Sequence, residues 1–123
     1  MASNKTVRIG PVAIANAVGN LVNPPTLTGG TGVSGTNTAT YLILRHARIV
    51  NKTSAAATAS FYIGATGASA AGTEVMGGSL SVAANSYVDW YGAMRLDAAD
   101  FLTGVASAAA TLTLEAEGEL GVA

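Results

Sequence analysis

The run TLTLEAEGEL (Thr111–Leu120) sets Glu115, Glu117 and Glu119 at every second position. Alternate residues of a strand lie about 7 Å apart on one face, and two carboxylates at that separation are the raw material of glycoside hydrolysis. A solvated amphipathic strand gives the same pattern. Leu112, Leu114, Ala116, Gly118 and Leu120 occupy the other parity, which is the signature of a half-buried strand. The acidic row is therefore read as solvated or ion-paired, and no catalytic residue is assigned.

The basic counterpart is RHARIVNK (Arg45–Lys52), where Arg45, His46, Arg48 and Lys52 crowd together. In a regular strand Arg45 and Arg48 differ in parity and point to opposite faces, which makes a poor phosphate-binding stripe. No aromatic residues interleave as a single-strand binder requires. Pairing with the Glu row, within a subunit or across an interface, is the expected role, and it acts mainly on register and partner choice. His46 is the only histidine and there is no cysteine, so a histidine or thiolate metal site and a Ser-His-Asp triad are not expected. No metal or cofactor is predicted.

The stretch SVAANSYVDWYGAMRLDAADFL (Ser81–Leu102) holds the single Trp. Parity puts Val88 and Trp90 on one face and Tyr87, Asp89 and Tyr91 on the other. Trp90 is expected to anchor the core. Tyr87 and Tyr91 form either a sugar platform or part of a subunit interface, where tyrosines are enriched. Asp97 and Asp100 frame a turn, because aspartate carboxylates accept hydrogen bonds from nearby backbone N–H groups. A calcium loop needs more oxygen ligands than this segment offers. No phosphate-cradling glycine loop or nucleophile elbow is present.

The elements that position these groups read as strands. KTVRIGPVAIA changes parity at Gly10-Pro11, as an edge strand that bends does. Residues 20–40, rich in Gly, Pro, Thr and Asn, read as a long arm with at most a short strand, and Pro24 and Pro25 in it are interface candidates. YLILRHARIV, ATASFYIG, TEVM, SLSVA, YVDWYG, AMRL, FLTGVAS and TLTLEAEGEL follow. The prediction is all-β: an antiparallel β-sandwich of about eight strands, jelly-roll or Ig-like. Residues 1–40 supply an N-terminal strand and arm, and 41–123 the sandwich body, in one domain overall.

Composition bears on the role. Ala, Gly, Ser and Thr make up 63 of the 123 residues, and only 11 % are charged. Such a surface lacks the mixed charge that keeps monomers apart. It suits a subunit packed against copies of itself or against a partner. A net charge of −1 gives no general attraction to nucleic acid or an anionic membrane. The start MASNKTVRIG lacks the apolar segment of a signal peptide, and the uncharged stretches are too poor in large apolar groups to span a bilayer. A soluble protein that is not exported by a cleaved signal is expected.

The order of elements from Tyr41 to Val122 resembles a group of small tailed-bacteriophage virion proteins. The residues that carry the resemblance are Ile49–Thr53 (I-x-N-x-T), Ala83–Ser86 (A-A-N-S), the turn Leu96–Leu102, the turn Ala106–Ala109 (A-S-A-A) and the closing strand Thr111–Leu120. The resemblance implies a non-enzymatic virion component such as a capsid decoration protein or a neck, tail or fibre accessory. Its implied partners are itself, with a trimer as the fold-level analogy, and the major capsid protein or another virion protein. Tyr87, Tyr91, Arg45, Arg48, Glu115, Glu117 and Glu119 are the interface candidates in the sandwich body.

Overall fold

The computed structural model describes residues 5–22, 39–65, 67, 69, 71–97 and 100–122. Eight strands follow in chain order: β1 (Lys5–Ile14), β2 (Gly19–Val22), β3 (Ala39–Asn51), β4 (Ala57–Gly64), β5 (Glu74–Val82), β6 (Ser86–Leu96), β7 (Phe101–Ala106) and β8 (Leu112–Val122). One sheet runs β1-β8-β3-β6 and the other β2-β7-β4-β5, with every pairing antiparallel. Every connection except the β4–β5 hairpin crosses from one sheet to the other. An Ig-like chain keeps its first two strands in one sheet; here β1 and β2 lie in different sheets, and the interleaved order is that of a jelly roll.

Alternation decides what lies between the sheets. Ile9, Leu42, Leu44, Ile49, Leu96, Leu112 and Leu114 face inward from the first sheet, and Leu21, Val22, Phe61, Val82 and Leu102 from the second. Trp90 packs partly buried against this core, opposite Ala47. The parity change expected at Gly10-Pro11 is present as a register shift between Ile9 and Val12, and β1 is an edge strand. The short strand allowed within the arm is β2, while residues 23–38, with Pro24 and Pro25, lie outside the described residues. TEVM and SLSVA are one strand with a register shift opposite Ala59–Phe61, and YVDWYG and AMRL are one strand. Gly77-Gly78 and Gly92 therefore mark irregularities within strands where the residue types suggested breaks.

The I-x-N-x-T signature has a local physical cause. Asn51 is fully buried, and its amide donates to the carbonyls of Ala55 (2.9 Å) and Val82 (3.1 Å). Its Oδ1 accepts from the Thr53 N–H at 2.9 Å and from the Thr53 hydroxyl at 2.7 Å. One side chain thus ties the end of β3 to the following turn and to β5. Asn51→Ala removes four bonds and strands buried partners, so thermal or urea unfolding is expected to show a loss of about 2–3 kcal/mol.

Candidate functional site

Charge is segregated between the two sheets. Nine of the 13 charged residues lie on β1, β3, β6 and β8, whereas the other sheet carries only Glu74. Strand parity turns the acidic row Glu115, Glu117 and Glu119 of β8 outward, with Leu112, Leu114 and Ala116 buried beneath. On β6, Tyr87, Asp89 and Tyr91 share that outer face, and the two tyrosines are 54 % and 72 % exposed.

The basic run departs from the regular-strand expectation. Leu44 and Ala47 are both buried, so two consecutive residues between them, Arg45 and His46, face outward. The register shift between Leu44 and His46, seen against both β8 and β6, is the bulge responsible. It brings Arg45, His46 and Arg48 onto one face, where a strict alternation separates them. Gly118 makes the bulge possible, because β3 backbone occupies the place of its absent side chain.

The resulting surface is a lattice of paired groups. Arg45 donates to Glu119 Oε2 through Nη2 at 2.7 Å and Nε at 3.1 Å. Arg48 grips Asp89 in bidentate fashion, Nε to Oδ1 at 2.8 Å and Nη2 to Oδ2 at 3.1 Å. Its partner is thus Asp89 of β6, where a partner in the Glu row was expected. His46 lies between two carboxylates, with Nδ1 3.1 Å from Glu117 and Nε2 3.0 Å from Asp89. A neutral ring donates through one nitrogen only; the doubly protonated ring donates to both. The ring stacks on Tyr91 with centroids 4.7 Å apart, and the Arg48 guanidinium covers Tyr87 at 4.3 Å. At the far end of β6, Arg95 sits 4.3 Å over Tyr41 and donates to Asp97 Oδ1, while the Asp100 carboxylate accepts from the Asp97 N–H and the Asp100 N–H donates to the Asp97 carbonyl.

The Arg48 hydrogen bonds hold the Asp89 carboxyl down to about 2, with help from His46 and against partial burial. The same bond to Asp89 raises the Arg48 guanidinium. A carboxyl depressed on folding contributes stability above its unfolded value of about 4 and loses that contribution as pH falls through its folded value. Asp89→Asn is therefore expected to flatten the acid limb of the stability curve between about pH 4 and 2. Urea melts of both proteins at pH 5, 3 and 2 check this.

Two shallow depressions mark the face. One, of about 190 Å³, is lined by Arg8, His46, Arg48, Glu115, Ala116 and Glu117. The other, of about 400 Å³, is lined by Thr6, Arg45, His46, Tyr91 and the Glu117–Glu119 segment. Among the described residues, no group of three metal-binding side chains converges, and no helix is long and apolar enough to cross a membrane. The seven sandwich-body interface candidates all lie on this one face. Arg8 and Asp89, which complete it, were not among them. The signal that finds the bulge is the apolar spacing Leu42, Leu44, Ala47, Ile49, with one gap of three instead of two.

No family model and no curated protein matches the chain. Among solved structures it is similar to a Bacillus endospore appendage protein, described as one of a family of disulfide-linked pili, at 14 % identity, TM-score 0.47, covering 98 % of this chain and 87 % of that one. It is similar to a chain of the extra small virus of the giant freshwater prawn Macrobrachium rosenbergii, at 8 % identity, TM-score 0.49, covering 98 % and 79 %. A cowpea mosaic virus chain from empty particles is similar at 12 % identity, TM-score 0.41, covering 98 % and 85 %.

Proposed function

We infer that this chain is a structural, non-enzymatic subunit of a bacteriophage particle: a capsid decoration or stabilising protein that self-associates and binds the capsid exterior. The observation that carries the reading is the division of charge between the sheets. Nine of the 13 charged residues lie on the first sheet, and on its outer face Asp89 and Glu119 are committed to Arg48 and Arg45. The opposite sheet has one charged residue in four strands and exposes small hydroxyl groups such as Thr58 and Ser81. A two-sided subunit of this kind meets like copies on one side and a broad, weakly charged partner on the other. The motif resemblance points to the same class. Mixing the purified chain with capsids lacking it tests the reading. Saturable binding supports it, and a monomer that stays in the supernatant contradicts it.

A carbohydrate-binding module is the second reading, favoured by the outward exposure of Tyr87 and Tyr91. Each ring has one face covered, by Arg48 and His46 respectively, which leaves the other for a sugar. Trp90 faces inward and is a poor reporter of such binding. Titration of host-surface oligosaccharides followed at the tyrosine resonances, with Tyr91→Ala as control, separates the two readings.

A further inference from the structure

We propose that two copies of this chain pack face to face through the outer surface of the β1-β8-β3-β6 sheet, with Arg8 of each copy against Glu115 of the other. The proposal rests on the self-association in the reading above and names its surface. The outer face carries Arg8, Arg45, Arg48 and Arg95 against Glu115, Glu117, Glu119 and Asp89. A face balanced in this way repels neither itself nor a neutral surface, and it offers no net field to nucleic acid or to a strongly charged partner.

Within the balance two groups stand apart. Arg45, Arg48, Arg95, Glu119 and Asp89 have ionic partners in the same chain, and Glu117 lies 3.1 Å from His46 Nδ1. Arg8 and Glu115 are in no ion pair among the described residues. Register explains why they do not satisfy each other. Arg8 lies directly opposite Glu117, and Glu115 falls opposite the Gly10-Pro11 irregularity, where β1 presents no side-chain donor. Both line the same depression, beside His46 and Arg48. In an isologous contact residue i of one copy meets j of the other, and j meets i. One two-fold axis over this depression therefore satisfies both charges in both copies at once.

The rest of the face suits the contact. Tyr87 and Tyr91 stand exposed beside the charge lattice, held by Arg48 and His46, so ordering them costs little side-chain freedom. Four strands about 4.8 Å apart, with roughly eight residues in each, give a footprint of about 500 Å² per copy before side-chain relief. A face-to-face pair thus buries on the order of 1,000 Å², enough for a specific contact.

Sedimentation velocity over a concentration series tests the proposal on the full chain, with circular dichroism confirming that each variant is folded. The wild type is expected to form dimers. Arg8→Glu and Glu115→Arg should each weaken dimerisation by at least about tenfold, because each sets like charges together twice. An equimolar mixture of the two variants should recover association to within about threefold of wild type, since the mixed pair restores both opposite-charge contacts. Thr58→Arg, on the other sheet, should leave it unchanged. Self-association that ignores Arg8→Glu and Glu115→Arg overturns this surface while leaving the self-association reading intact. So does a mixture that fails to recover, or a loss on Thr58→Arg. A wild type that is monomeric throughout overturns both.

Discussion

Gly118→Ala is expected to remove most of the folded protein. Gly118 sits on β8, in the middle of the charged sheet, where β3 bulges. A Cβ there would overlap the carbonyl oxygen of Ile43 and come within 3.0 Å of its carbonyl carbon and 3.1 Å of Leu44 Cα. These are backbone atoms of a central strand, so no rotamer change relieves the clash. Either the bulge or the β3–β8 ladder must give way. The expected cost is above about 4 kcal/mol, the range reserved for a few severe mechanisms, against a typical total of about 5–15 kcal/mol. Thermal unfolding by circular dichroism should show a midpoint lower by more than about 12 °C, or the variant should fail to accumulate in soluble form. A midpoint within a few degrees of wild type contradicts the close approach and, with it, the bulge that gathers Arg45, His46 and Arg48.

Phe61→Ala is the second large effect. Phe61 heads the fully buried side chains and lies on β4, in the centre of the second sheet's inner face. Its ring occupies the space over Gly104: a Cβ at that position would lie 3.0 Å from Phe61 Cδ1 and 2.6 Å from Leu21 Cδ1. Truncation removes the ring and leaves a cavity that the rigid flanking strands close only in part, at a cost of about 3–5 kcal/mol. Because the glycine and the ring share one volume, their effects are not additive. Gly104→Ala should destabilise the wild type by overpacking, about 1–3 kcal/mol, and should cost less in the Phe61→Ala background. Equal costs in both backgrounds contradict the shared volume.

The fold was legible wherever period two ran unbroken. ATASFYIG and the Leu112–Ala116 alternation coincide with β4 and the buried face of β8, because each strand has one covered face. The parity change at Gly10-Pro11 was legible because proline and glycine announce a bulge by residue type. The bulge at Arg45-His46 announces itself only by spacing, and reading the run as a regular strand separated two arginines that share a face. The choice between jelly roll and Ig-like order was not legible at all. Strand order across a sandwich depends on which distant strands pair, and alternation within each strand is the same for both. Arg8 was missed for a related reason: an isolated arginine on an edge strand acquires meaning only when β8 lies beside it.

The proposed two-sided structural subunit is tested most directly by a cryo-electron microscopy map of the phage particle proposed to carry this chain. The expected map shows the jelly roll on the outside of the head, with the β1-β8-β3-β6 sheet against a symmetry-related copy and the Thr58–Ser81 side toward the shell. Density for isolated monomers that touch neither a copy nor the shell, or for a chain absent from the particle, contradicts it.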